Sequence, residues 1–92
     1  MSLSGGKHYF YSVWRNLRIR TYDFDTRLID SNGNVAYRGK IQVKSTTTGA
    51  ENNTWTTWDT YVPKQGDPTG VWRYIVCGEG RLQVNMKFSV VK

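Results

Sequence analysis

Gly70-Val71-Trp72-Arg73-Tyr74-Ile75-Val76-Cys77-Gly78-Glu79-Gly80-Arg81-Leu82-Gln83-Val84-Asn85-Met86-Lys87-Phe88-Ser89-Val90-Val91 is the stretch on which the fold turns. Trp72, Tyr74 and Val76 alternate with Arg73, Ile75 and Cys77. Beyond the glycines, Leu82, Val84, Met86, Phe88 and Val90 alternate with Gln83, Asn85, Lys87 and Ser89. A period of two with a continuous apolar face is the pattern of a half-buried strand. Gly78 and Gly80 are expected to supply the positive φ of a tight hairpin turn. Two antiparallel strands are therefore expected here, with Trp72 in the core.

The same period recurs upstream. His8 to Trp14 reads as a strand with aromatics on both sides: Tyr9, Tyr11 and Val13 on one, His8, Phe10, Ser12 and Trp14 on the other. Either side could be the buried one. From Leu17 to Leu28 the alternation slips by one residue. Leu17, Ile19 and Thr21 are in one phase, and Tyr22, Phe24, Thr26 and Leu28 in the other. One regular strand cannot absorb such a slip without turning its apolar set to the other face, so a bulge or break is expected near Thr21. Asp30-Ser31-Asn32-Gly33-Asn34 is a turn, with Asn32-Gly33 expected at its centre. The strand after it should carry Val35, Tyr37, Gly39, Ile41 and Val43 inward and Arg38, Lys40, Gln42 and Lys44 outward. Residues 45–54 are polar and without period, and read as a surface loop. Trp55 to Val62 is a further strand, and Pro63 to Gly70 a loop whose prolines suit no central strand.

No helical period of useful length interrupts these segments, which points to an all-β sandwich or small barrel. The chain has 92 residues, the size of one domain. A chain this short buries a modest core, so large aromatics weigh heavily in it. It holds four Trp, six Tyr and three Phe. Residues 1–6 read as a flexible leader or linker, and 7–92 as the single β domain. That leader lacks the apolar run of a signal peptide. No apolar run approaches the ~20 residues of a membrane-spanning helix.

The segment 26–91 resembles a class of bacterial immunoglobulin-like β-sandwich modules. The resemblance rests on the aromatic strand Trp55-Thr56-Thr57-Trp58-Asp59-Thr60-Tyr61 and the proline-containing loop after it. Gly70-x-Trp72-x-x-x-Val76, the glycine turn and the closing Phe88-x-Val90 complete it. It implies an immunoglobulin-like antiparallel β-sandwich of about seven strands. It also implies a non-catalytic, extracytoplasmic module that binds another protein or a cell-surface component, without cofactor or metal.

Residues that could carry chemistry are few. His8 is the sole histidine and Cys77 the sole cysteine, so no disulfide can close within the chain. Neither has a partner suited to nucleophilic catalysis nearby in sequence. Asp23 and Asp25 share one strand face and could in principle bind a cation or act on a glycoside; a solvated face explains them as well. Asp30 to Asn34 resembles the opening of a calcium loop, but Ile41 stands where the bidentate Glu is required. Asn52-Asn53-Thr54 is a formal glycosylation sequon.

Two sets of residues are candidates for binding. The formal net charge is +6. Arg18, Arg20, Arg38, Lys40 and Lys44 fall on the outward sides of two segments that should pair, and are expected to form one basic face. Such a face, with an exposed ring, is how β platforms hold single-stranded nucleic acid, which makes nucleic acid the alternative partner. The same charges also suit a solubilising surface. Trp55 and Trp58, three apart, must point to opposite faces, so one should enter the core and the other stand exposed. Trp58 and Trp14 are the exposed candidates.

Overall fold

In the computed structural model, which describes residues 1–15, 17–45 and 55–92, the chain forms six strands and, among those residues, no helix. They are β1 (His8–Trp14), β2 (Thr21–Ile29), β3 (Val35–Lys44), β4 (Trp55–Tyr61), β5 (Gly70–Gly78) and β6 (Arg81–Val90). One sheet has the order β3-β2-β5-β6, and the other is the pair β1-β4; every pairing between these strands is antiparallel. The two sheets face each other in a sandwich-like arrangement. About seven strands were expected, and the described residues hold six. Most of the expected loop, 46–54, lies outside the described residues, as does the sequon.

The interlayer is aromatic. β2 alternates strictly, burying Tyr22, Phe24, Thr26 and Leu28. β5 buries Trp72, Tyr74 and Val76. From the opposite sheet, Phe10 stacks on Tyr74 with ring centroids 5.1 Å apart, and Trp14 lies on Phe24 at 4.2 Å. Trp72 is fully enclosed, packed near Tyr61 and Phe88, and its indole N–H donates to the Pro68 carbonyl at 3.0 Å. These contacts decide which side of β1 is buried: Phe10, Ser12 and Trp14 go in, while Tyr9, Tyr11 and Val13 go out.

Both hairpins form, and both depart in detail from the expected alternation. β2 begins at Thr21, so the phase slip is a strand break, and Leu17 to Arg20 stay outside the sheet. At Asp30 the chain makes a type I-like turn: Gly33 N–H donates to the Asp30 carbonyl, and only Gly33 takes a positive φ. The Asp30 carboxylate accepts from the N–H groups of Asn32 and Asn34. The centre is thus Ser31-Asn32, with Gly33 in the left-handed position after it. The register then shifts, Leu28 facing Tyr37 but Ile29 facing Val35. The extra residue, Ala36, turns Val35 to the outer face, where it is exposed.

The terminal hairpin repeats this device. Its two turn residues are Glu79 and Gly80, both at positive φ. Gly78 instead ends β5 at an ordinary φ, where a Cβ would run into the Phe24 ring. A shift between Val76 and Cys77 makes Gln83 the bulge residue and places Leu82 opposite Cys77. Leu82 therefore leaves the apolar face and is exposed. Met86 keeps its inward phase opposite Tyr74 but remains 42% exposed on the edge strand β6.

The first residues, expected to stand apart as a leader, pair with the end of the chain. Leu3 N–H donates to the Val91 carbonyl and Val91 N–H to that of Met1. Met1 and Leu3 pack against the core.

One charged group lies in the interlayer. Asp59 of β4 is 6% exposed and accepts from two phenols of the facing sheet, Tyr37 at 3.1 Å and Tyr74 at 2.5 Å. Gly39 leaves the room this needs: a Cβ there would stand 2.5 Å from the Tyr37 oxygen and 2.9 Å from Asp59. Burial, then the bond to Asp59, pushes the Tyr74 pKa well above the ordinary phenol value. Burial, then Asp67, which accepts from Tyr61 at 2.6 Å, does the same to Tyr61.

Two outcomes are expected. Trp72→Ala should cost about 3–5 kcal/mol in a denaturant melt, the range for removing a buried aromatic. Because Tyr61 and Tyr74 ionise later in the folded than in the unfolded chain, their contribution is complete below about pH 10 and is lost as the pH rises past it. Denaturant midpoints measured from about pH 8 to pH 11 should therefore fall, and more gently in Tyr74→Phe, which has one fewer suppressed ionisation.

Candidate functional site

The outer face of the larger sheet carries Arg38, Lys40 and Lys44, but not alone. In register, Arg27 faces Arg38, Asp25 faces Lys40, Asp23 faces Gln42 and Thr21 faces Lys44. Asp23 accepts from the Gln42 amide at 2.9 Å. β5 and β6 extend the face with Arg73 and Lys87, also opposite each other. Two acids, Asp23 and Asp25, thus stand among six bases, and bases face each other at Arg27–Arg38 and Arg73–Lys87. Asp23 and Asp25 belong to that pattern. Among the described residues no cluster of His, Cys, Asp or Glu has the makings of a metal site.

Arg18 and Arg20 are elsewhere. They precede β2 and line a cleft of about 520 Å³ at the end of the molecule, together with Arg15, Arg81, Glu79 and Gln83, over Trp14, Tyr22 and Phe24. The expected single patch is thus split, because Arg18 and Arg20 precede β2 and fall in the even phase of Tyr22 and Phe24 rather than the outward odd phase. Arg20 forms a fork with Glu79, at 2.7 and 3.3 Å, and lies 4.0 Å from the Tyr22 ring centroid. The bond to Glu79 raises the Arg20 pKa further above its usual value. Neither Arg15 nor Arg81 stood out in the sequence. Arg81 becomes part of the cleft only through the two-residue turn that sets it opposite Gly78.

The two expected exposed tryptophans part company. Trp14 is 8% exposed, stacked on Phe24, with its indole N–H donating to Thr57 Oγ1 at 2.8 Å. It is a core residue, because β1 turns its Phe10 side inward. Trp58 is 57% exposed, while Trp55 is half-buried against the core, as the three-residue spacing requires.

Around Trp58 lies a second surface, the outer face of β1-β4. Tyr9 faces Thr60, Tyr11 faces Trp58 and Val13 faces Thr56. Tyr9 is 52%, Tyr11 63% and Val13 53% exposed, and Val62 continues the strip. The Tyr9 and Tyr11 rings lie nearly parallel, 6.2 Å apart. None of these side chains is charged, with Lys7 and Arg15 marking the two ends of β1. Tyr9 and Tyr11 were legible as aromatics, but only the packing of Phe10 and Trp14 shows that they face solvent.

Comparison of the chain with protein-family models, with curated proteins and with solved structures gives no match.

Replacing Arg38 and Lys40 together by Ser should leave stability within ~0.5 kcal/mol in denaturant melts. In fluorescence anisotropy with a labelled single strand, the salt slope should flatten by less than the roughly two units that two phosphate-contacting cations would give. A full two-unit drop would show that the interleaved aspartates do not weaken the face.

Proposed function

We propose that this domain is a non-catalytic, immunoglobulin-like binding module that docks a protein partner on the outer face of β1-β4. The observation that carries the reading is the contrast between its two outer faces. The face of β3-β2-β5-β6 carries charged side chains among Ile29, Val35, Val71, Ile75 and Leu82. The strip of Tyr9, Tyr11, Val13, Trp58 and Val62 is exposed, aromatic and uncharged. Soluble proteins seldom leave a contiguous apolar patch uncovered unless it meets a partner. Tyr and Trp are also the residues that dominate the buried centres of protein interfaces, where charged residues are depleted. The threonines between the rings supply hydroxyls for a polar margin.

The immunoglobulin-like part of the reading is supported by the two facing antiparallel sheets and by Trp72 enclosed between them next to Tyr61.

Tyr11→Ser with Trp58→Ser should leave the fold intact, since both side chains project into solvent. Partners captured by the wild-type domain should be absent from the double variant. Each should then bind purified wild-type protein at least about tenfold more tightly, as loss of interface aromatics usually costs more than ~1 kcal/mol each. Capture of the same partners at the same affinity by both proteins would refute this use of the face.

A further inference from the structure

The arginine cleft lies apart from the aromatic strip and has a charge arrangement of its own. Four guanidinium groups, those of Arg15, Arg18, Arg20 and Arg81, line it with a single carboxylate, Glu79. Among the described residues the one ion pair is Arg20 with Glu79. Arg15, Arg18 and Arg81 are exposed and form no such pair. Like charges gathered along one concave wall repel, and nothing in the core requires them there.

The wall is also held in place. Arg18 N–H donates to the Tyr22 phenol at 3.0 Å, and Ser45 N–H to the Arg20 carbonyl at 3.0 Å. The Ser45 hydroxyl reaches the Leu17 carbonyl at 3.5 Å. The connection before β2 is thereby tied to β2 and to the end of β3. Arg20 itself is fixed twice, by its fork on Glu79 and by the Tyr22 ring. A pre-shaped wall loses little entropy when a ligand arrives.

We propose that this cleft binds a doubly charged tetrahedral oxyanion of the phosphate class, with Arg18 and Arg81 as its principal donors. The planar fork of a guanidinium presents paired N–H groups that match two oxygens of such an anion, and charge-assisted bonds of this kind are the strong ones. Arg15 adds charge from the end of β1. Arg20 serves as a positioned wall, and Glu79 restrains it and limits the site's net charge.

The test is a titration of the ¹⁵N-labelled domain with sodium phosphate at about pH 7.5, above the second phosphate pKa of roughly 6. Sodium chloride of equal ionic strength is the reference. Saturable shifts are expected in residues 17–22 and 78–83, half-complete at about 1 mM or below. Sulfate should reproduce them and citrate should not. Arg18→Ser with Arg81→Ser should weaken binding more than about tenfold, the loss of two charge-assisted contacts. Arg38→Ser with Lys40→Ser removes the same charge from the sheet face and should leave the affinity unchanged. If the first pair fails to fold, Arg18→Lys with Arg81→Lys decides, because it keeps the charge and loses the fork, and should weaken binding several-fold. No saturable shift up to about 10 mM, equal binding of citrate, or equal weakening by both Ser pairs would overturn the proposal. None of these outcomes involves Tyr11 or Trp58, so they leave the reading of the aromatic strip untouched.

Discussion

The Asp59 carboxylate, reached across the interlayer by Tyr37 and Tyr74, is the constraint to which the rest of this structure answers. A buried carboxylate is tolerated only where donors replace its water. Here the donors come from two strands of the larger sheet, so the bonds hold the β4 layer at one position over it. Gly39 makes room for this, because a Cβ there would force the phenol and the carboxylate to shift. Phe10, directly opposite Asp59 on β1, stacks on the Tyr74 ring, and Trp14 further along the same strand stacks on Phe24. Apolar packing supplies most of the driving force, but it is not directional. The carboxylate and its two phenols add direction, since displacing the layer would leave three buried polar groups unpaired.

That alignment also determines what faces outward. With Phe10, Ser12 and Trp14 committed to the interlayer, period two sends Tyr9, Tyr11 and Val13 to solvent beside Trp58. The larger sheet sets charged and polar side chains on its outer face along β2 and β3, Asp25 opposite Lys40 and Asp23 opposite Gln42, with Arg27 against Arg38. The smaller sheet does not do this. Two strands alone would be marginal, and this pair is stable because its inner face closes the core. On its outer face the aromatics meet only each other, Tyr11 opposite Trp58 and Tyr9 stacked on Tyr11.

The bulges also decide what faces outward. Ala36 turns Val35 outward, and Gln83 turns Leu82 outward. The second bulge adjoins the Glu79-Gly80 turn, which brings Glu79 to Arg20 and Arg81 into the cleft. A sequence pattern read as one unbroken alternation cannot show a bulge, because the extra residue is recognised only by what lies opposite it on the neighbouring strand.

The all-β class, the two hairpins, an interruption near Thr21 and the burial of Trp72 were determined by the sequence alone. Each follows from a local signal: period two, a turn sequence, or a slip in phase. The opposite fates of Trp55 and Trp58 follow from spacing by itself. Tertiary structure decided the rest. Trp14 lies on an alternating strand with aromatics on both sides, and only the Phe24 ring facing it selects burial. Asp59 has the inward phase of Trp55 and Tyr61, yet its role depends on phenols 22 and 15 residues away along the chain. Arg18 and Arg20 seemed to extend a basic strand, but they precede the first ladder pair and share the even phase of Tyr22 and Phe24, and the chain brings them instead to Arg81. Local periodicity specifies which residues share a face; which face is covered, and which distant charges meet, depends on the packing of one sheet against the other.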